Sequence, residues 1–317
     1  MPETQILIAR DHDPYELRVA HRAGALERLR RGAYRAVPDD GASSGDAAMS
    51  AVRRRELDRA RAVHEQLHAE HWFSHGTAAV LHGLPVWRLP DQVHLVQAYR
   101  ASSRSAADVR RHVLPVPPEH RVVVGGLSAT SLERTVADCV STMPALEGLV
   151  IADAARRRGV DVEEVRRIVM SRYRGRARGL LVLDLSDPDA ESAWETWLRY
   201  VALWAGLPRP ETQVPVTTRL GRFRVDLGWP EHRVLAEFDG LVKYRDGALG
   251  ADHDAAQLLV DEKLRQDAIT ESTGITVLRF TSKDGPRPEE VAQRMLVRFP
   301  SEIRRAARKN PLLARPR

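Results

Sequence analysis

The sequence predicts a mixed α/β (α+β) protein built in two parts, and three observations carry that expectation. Its 317 residues are about twice the length of an ordinary domain. Stretches with helical spacing of apolar residues alternate with stretches that read as strands along the chain. Hydrophobic residues at 43% and charged residues at 29% are the balance of a folded globular chain rather than a disordered one. The lone Cys139 excludes a disulfide framework and a multi-cysteine zinc site. The N-terminus carries Glu3, Asp11 and Asp13 without the apolar core of a secretory signal. No apolar run is long enough to span a bilayer. The expected compartment is the cytoplasm, with no membrane partner.

Residues 1–38 read as a winged helix-turn-helix-like DNA-binding segment. Leu17, Ala20 and His21 have helical spacing between Glu16 and Ala25, and Gly24 ends or bends that helix. Leu26 to Val37 then reads as a basic hairpin turning at Gly32, with Arg28, Arg30, Arg31 and Arg35 as candidate contacts to phosphates or a groove. The competing reading is a surface hairpin with charged outer positions. Residues 39–50 are small, polar and rich in Gly and Ser, hence a loop or linker.

An α/β domain is expected over 52–170. It starts with a charged helix from Arg53 to Glu70. His64, His68, His71 and His75 follow one another at helix-like spacing. A metal site on one helical face would need that helix unbroken, and Trp72-Phe73-Ser74 reads as a short strand that breaks it. Ser74 is then placed to cap a helix through Leu81, which Gly83 and Pro85 stop. Strands are expected at 92–96, 112–116 and 121–124, with a turn at Gly125-Gly126. Thr130 and Glu133 have capping-box spacing ahead of a helix to Val140. Further helices are expected at 145–158 and 161–170. Residues 171–188 read as the connection between the two parts.

This first half resembles the AbiEi antitoxins of type IV toxin–antitoxin systems. The resemblance rests on the Leu29–Tyr34 hairpin, on Phe73-Ser74-His75 with Ala79 and Leu81-His82-Gly83-Leu84-Pro85, and on Gly126-Leu127, Thr130-Ser131 and Arg134 to Asp138. It covers roughly residues 10–170, and implies operator-DNA binding and a cognate toxin as partner.

The chemistry concentrates in a second domain expected over 189–300, followed by a basic tail at 301–317. Trp194, Trp197, Leu198, Val201 and Trp204 form a core stripe on a helix from Asp189 to Ala205, with Glu191, Glu195 and Arg199 on another face. Gln213 to Thr218 reads as an edge strand, since Pro215 cannot donate to a ladder. Phe223, Val225 and Leu227 alternate with Arg224 and Asp226. After the Pro230-Glu231-His232 turn, the same period puts Glu237 and Asp239 on one face of the next strand. Two strands joined by a short turn pair antiparallel, so Asp226 is expected beside Glu237 and Asp239. Clustered carboxylates are ligands for a hard divalent cation such as Mg²⁺ or Mn²⁺. The alternative is two strands showing solvated acids paired with arginine.

The order Glu191-Ser192, Glu195, Gly206-Leu207-Pro208, Gln213, Arg224-Val225-Asp226, Glu237-Phe238-Asp239-Gly240, Glu262-Lys263, Arg265, Asp267 and Val277 to Thr281 resembles the very-short-patch-repair-like branch of the PD-(D/E)XK nucleases. The resemblance implies a restriction-endonuclease-like domain that hydrolyses DNA with Mg²⁺ or Mn²⁺. Asp226 and Glu237 match its acids, Asp239 stands where its lysine is expected, and Glu195 matches the acid of the preceding helix. Lys243 is either the replacement cation or an ordinary loop lysine. Lys263 and Arg265 are candidate phosphate contacts or simply solvent-exposed. Because Asp239 replaces the lysine, a non-catalytic DNA-binding repressor or antitoxin stays open as the second reading.

The charge distribution agrees with a nucleic-acid partner. The chain is +6 overall, and residues 287–317, with nine Lys or Arg against three acids, account for all of it. Residues 18–35 hold six Arg against Glu27, and 156–178 hold nine Arg against three acids.

Overall fold

The computed structural model describes residues 5–37, 45–99, 106–239 and 254–316, and a mixed α+β protein is what they form. The chain divides into two compact units that interleave in sequence: residues 1–139 with 161–172, and residues 140–160 with 173–317.

The first unit holds two sheets. Strands β1 (Ile6–Ile8), β2 (Leu26–Arg30) and β3 (Ala33–Ala36) form an antiparallel sheet in the order β1-β3-β2. Between β1 and β2 lies α1 (Pro14–Arg22), which starts earlier than its apolar spacing suggests. Pro14 takes the first helical position, and the Asp13 carboxylate accepts from the Tyr15 amide. Gly32 turns the hairpin at φ 75. The long helix α2 (Gly45–Gln66) includes the second half of the expected 39–50 loop. Its Ala62 completes a core with Ile8, Leu29 and Ala33. Among the described residues, the helical structure ahead of α1 is a one-turn 3-10 helix at Ala9–Asp11, so the expected helix-turn-helix has no full helix before α1.

The larger sheet has the order β6-β5-β4-β8-β7, from β4 (Trp72–Phe73), β5 (Val93–Gln97), β6 (Val109–Val113), β7 (Arg121–Val124) and β8 (Leu127–Thr130). The helix that carries His64 stops at Gln66, short of the expected Glu70; the expected short strand is β4, and α3 (His75–Leu81) follows it. β5 pairs parallel with β6 and antiparallel with β4. Phe73, Val93, Leu95, Val109, Leu127 and Ala129 pack with Ala60 and Val63 of α2 into one core. Helix α4 (Leu132–Thr142) is capped by the Ser131 hydroxyl, which accepts from the Arg134 amide, and not by Thr130. Thr130 bonds the Thr135 hydroxyl instead.

Helix α5 (Ala145–Arg157) belongs to the second unit, whereas α6 (Val162–Met170), capped by Asp161, returns to the first. This corrects the expected boundary. The apolar face of α5 is covered by α7 (Arg176–Leu185) and α8 (Ala193–Trp204). The expected connection at 171–188 therefore contains a packed helix, with Val182 and Leu183 buried.

The sheet of this unit runs β12-β11-β10-β9. Strands β9 (Glu211–Thr218), β10 (Gly221–Trp229) and β11 (Val234–Asp239) are antiparallel neighbours, and β9 with Pro215 is the edge. Helix α9 (Asp254–Thr273) leads to β12 (Leu278–Thr281), which pairs parallel with β11. Trp197, Leu198 and Val201 of α8 are buried, and Trp194 stacks on Phe238 of β11 with ring centres 4.7 Å apart. Helices α10 (Pro288–Leu296) and α11 (Ser301–Ala306) end the unit. The expected basic tail is not loose. The Asn310 amide donates to the Trp204 carbonyl, Lys309 lies over the Trp204 ring, and Arg315 pairs with Glu289. Gly206, at φ 80, has no room for a Cβ against the Arg308 carbonyl.

Arg199 is the electrostatic centre of this packing. It is fully buried, and its guanidinium donates to Asp153 of α5 at 2.5 Å and to the Leu185 carbonyl. Removing one partner of a buried pair strands the other charge. We expect Asp153→Ala to lower stability by about 3–5 kcal/mol in urea unfolding. The double variant Asp153→Ala/Arg199→Met should recover part of that loss, and no recovery would show that the charges are not what couples the helices.

Candidate functional site

Three carboxylates converge at the mouth of the second unit's sheet. Extending the β10–β11 register by one step from Leu227–Ala236 sets Asp226 across from Glu237, as the period-two reading anticipates. The Phe238 amide donates to Asp226 Oδ2 at 2.7 Å. Glu195 approaches from the first turn of α8, because the Ser192 hydroxyl caps that helix by accepting from the Glu195 amide. Glu195 in turn accepts from the Glu191 amide at 2.8 Å and from the Gln213 side-chain amide at 3.0 Å.

Gln213, expected at the start of an edge strand and among the residues of the nuclease resemblance, had no role assigned to it from the sequence. The β9–β10 ladder skips the Gln213–Asp226 position between Val214–Val225 and Thr212–Leu227. Gln213 sits there at φ 53, a left-handed conformation costing a non-glycine residue roughly 1–3 kcal/mol. Its side chain meets Glu195, so the local strain coincides with the acid cluster.

Asp226, Glu237, Gln213, Glu262, Arg265 and Arg279 line a cleft of about 430 Å³, together with Asp239 and neighbouring residues. Burial, then the Glu195 charge, pushes the Asp226 carboxyl up to about 7, with Glu237 adding to the shift. Burial also raises Glu195, against the hydrogen bonds it accepts. Glu237, 6% exposed, is held differently. Its Oε1 takes Arg265 at 2.5 Å, while Oε2 has only long contacts to Arg265 at 3.4 Å and to Arg279 at 3.5 Å. Oε2 is thus the oxygen with capacity left for another ligand.

Arg279 reaches the cleft because the parallel β11–β12 register puts it beside Glu237. It pairs with Glu262 and lies 3.4 Å from Asp239. Asp239 therefore shares a cation with its neighbours and stands at the rim of the acid cluster. Arg265 serves first as the counter-ion of Glu237 and also donates to the Arg224 carbonyl at 3.0 Å. Lys263 is exposed and does not line the cleft. Lys243 lies outside the described residues. Arg199, grouped by spacing with Glu191 and Glu195, is turned away to Asp153.

The candidate arginines of the N-terminal hairpin separate into two kinds. Arg35 is 5% exposed and pairs with Asp58 at 2.7 Å and Glu27 at 2.6 Å. Arg30 grips Asp108 at 2.8 Å and bonds the Gln66 side chain. Both arginines hold the fold rather than face outward. Arg28 and Arg31 are exposed. The four-histidine row is divided as well. His64 contacts His71 at 3.2 Å, His68 meets Arg10, and His75 joins His94 and His112.

No family model matches the chain. It is 32% identical over 123 residues to "Uncharacterized protein MT2308" and to "Uncharacterized protein Rv2248", from two strains of Mycobacterium tuberculosis. The match covers 37% of this chain and 45% of each relative, so the chain spans about half the length of the curated relatives it matches. The crystal structure of the RV2827C protein from Mycobacterium tuberculosis aligns at 16% identity and a TM-score of 0.38, over 56% of this chain and 71% of that one. Among the described residues no helix is long and apolar enough to cross a membrane.

The raised Asp226 has a stability consequence of definite sign. Below about pH 3 the folded and unfolded carboxyls both keep their proton. As pH rises towards 7 the unfolded carboxyl ionises first, so the folded state loses stability. Asp226→Asn removes that loss. In metal-free urea unfolding, its stability relative to wild type is expected to climb between pH 4 and 7.5, by up to about 4 kcal/mol. A difference that stays flat with pH would show that Asp226 is not held protonated.

Proposed function

We propose that the second unit is a divalent-cation-dependent phosphodiesterase acting on DNA. The observation that carries this reading is the pairing of Asp226 and Glu237 in one cleft, with Glu195 behind it near enough for its charge to act on the half-buried Asp226 carboxyl. The donor set is all oxygen, which suits Mg²⁺ or Mn²⁺. Asp226 and Glu237 Oε2 would hold the ion, with Glu195 beyond them. A bound Mg²⁺ supplies an acidified water and charge neutralisation at phosphate. Gln213 orients Glu195, and the Phe238 amide orients Asp226. Arg279 and Arg265 place positive charge along the same cleft, where a phosphodiester needs it. The resemblance to very-short-patch-repair-like nucleases supports the same reading.

The second reading is a non-catalytic repressor or antitoxin, acting with a cognate toxin. It is favoured by Arg265 and Arg279, which already neutralise Glu237, Glu262 and Asp239. In either reading the exposed Arg28 and Arg31 contact DNA, whereas Arg30 and Arg35 do not.

Incubation with supercoiled and single-stranded DNA in Mg²⁺ or Mn²⁺ separates the readings. Cleavage that falls more than about 100-fold in Asp226→Ala and in Glu237→Ala supports the nuclease, since even outer partners of metal ligands cost 10–100-fold. A wild-type protein that cuts neither substrate overturns it in favour of the regulator. For DNA binding, Arg28→Ala and Arg31→Ala should each weaken a mobility shift and lower the salt slope by about one. An unchanged, salt-insensitive affinity in both would remove the hairpin from the interface.

A further inference from the structure

The first unit contains a second cluster of chemistry-bearing side chains, which the carboxylate cleft does not use. His75 opens α3, His94 lies on β5 and His112 on β6. Each offers a ring nitrogen, and the three nitrogens lie within 4.8 Å of one another. The parallel register pairs His112 with Val96, so His94 and His112 are diagonal neighbours on one face of adjacent strands. His94 Nδ1 and His112 Nε2 are 3.2 Å apart. Two imidazole nitrogens held about 2.0–2.1 Å from one tetrahedral Zn²⁺ are separated by ~3.3 Å, so this pair already stands at ligand spacing. The His75 ring stacks on His112 with centres 3.8 Å apart.

We propose that His75, His94 and His112 bind a borderline transition-metal ion, Zn²⁺ in the first instance, as a three-histidine site with its remaining position open to an exogenous ligand.

Several features of the surroundings support the assignment. The Ser74 hydroxyl meets His75 Nδ1 at 2.9 Å, which fixes the ring and leaves Nε2 for the ion. The His94 backbone is pinned on both sides: its amide donates to the Thr77 hydroxyl at 2.9 Å, and its carbonyl accepts from the Ser74 amide at 3.0 Å. The strand and the start of α3 are thereby locked together where two ligands originate. His75 itself sits at φ 52, a strained conformation for a bulky residue, and that backbone directs its ring to the other two. His75 is 2% exposed, whereas His94 and His112 are half-buried, so the cluster is closed on the helix side and open on the strand side. Among the described residues no carboxylate or thiolate completes the group, which matches a site that keeps an open position. The buried Asp138 carboxylate, held by Arg134 and Arg172, lies close enough to favour positive charge at His75, which Arg172 opposes.

The test uses the full chain, stripped with a chelator and then titrated with Zn²⁺ against a chromophoric chelator, and separately with Co²⁺. One tight equivalent of Zn²⁺ per chain is expected, with visible Co²⁺ bands of low coordination number. Both should weaken more than about 100-fold in His94→Gln and in His112→Gln, and persist in Asp226→Ala. Circular dichroism confirms that the variants are folded. X-ray absorption of Zn²⁺-loaded wild type needs no variant, and should show three imidazoles at about 2.0–2.1 Å. Absence of a tight equivalent, uptake indifferent to both histidine changes, or a shell of carboxylate oxygens would each overturn the assignment. Loss of the Co²⁺ bands in Asp226→Ala would do the same, because it would place the ion in the carboxylate cleft.

Discussion

A guanidinium with no exposure to solvent, that of Arg199, sets the geometry on which the second unit depends. An isolated charge at that depth would cost several kcal/mol, so it is tolerable only where partners are already fixed. Asp153 is such a partner. Its carboxylate also accepts from the Thr196 hydroxyl and the Asp187 amide, each at 2.8 Å. One carboxylate and one guanidinium therefore tie α5, the end of α7, the chain at residue 187 and the middle of α8 together. The rotation of α8 about its axis follows from this. With Arg199 held on one side and Trp194 stacked on Phe238, the first turn of the helix has to present Glu195 to β9 and β10.

The same pairing rule explains why the carboxylates of the cleft are not equivalent. Glu237 has the guanidinium groups of Arg265 and Arg279 as neighbours. Asp226 has two other carboxylates near it and one backbone amide, so its charge is costly. A cation arriving from outside would gain most from Asp226, the group with the least compensation inside the protein. In the first unit arginine is used for the opposite end. Arg35 satisfies Glu27 and Asp58, and Arg30 satisfies Asp108 and Gln66. A three-stranded sheet with a core of a few apolar residues gains cross-links from these pairs that its hydrophobic burial alone does not supply.

What could be read from the sequence depended on whether the relevant contact is local. The turn at Pro230 to His232 and the alternation on either side of it place Asp226 opposite Glu237 without any knowledge of the rest of the chain. The Asp161 cap is equally local, whereas the helix expected from Asp189 begins only at Ala193, after its Ser192 cap. Arg279 was out of reach because a parallel pair with β11 leaves no signature in a strand of four residues. His94 and His112 escaped for the same reason, since only the parallel β5–β6 register brings them together. The four-histidine spacing does not form one helical face: the helix ends at Gln66, and of the four only His75 joins His94 and His112. The arginines of the hairpin were misjudged where an acid far along the chain, the buried Asp58 or the half-buried Asp108, claims them. Residue type marks a candidate cation, but only tertiary contact shows whether the charge is already spent.

That distinction changes what the net charge of +6 means. The nine cations of residues 287–317 include Arg315, matched to Glu289, Arg294, matched to Asp284, and Lys309, laid over Trp204. Much of the apparent electrostatic footprint thus serves to fasten the chain end to its own unit. Free positive charge is better sought at Arg28 and Arg31 of the hairpin. The two ion sites proposed differ in the same chemical terms. The cleft offers charged oxygen donors and suits a hard cation whose charge they need. The histidine cluster offers neutral nitrogen donors and repays an ion through covalent affinity rather than charge balance. Mg²⁺ and Zn²⁺ would therefore sort between them by ligand type, without either site having to exclude the other's metal by size.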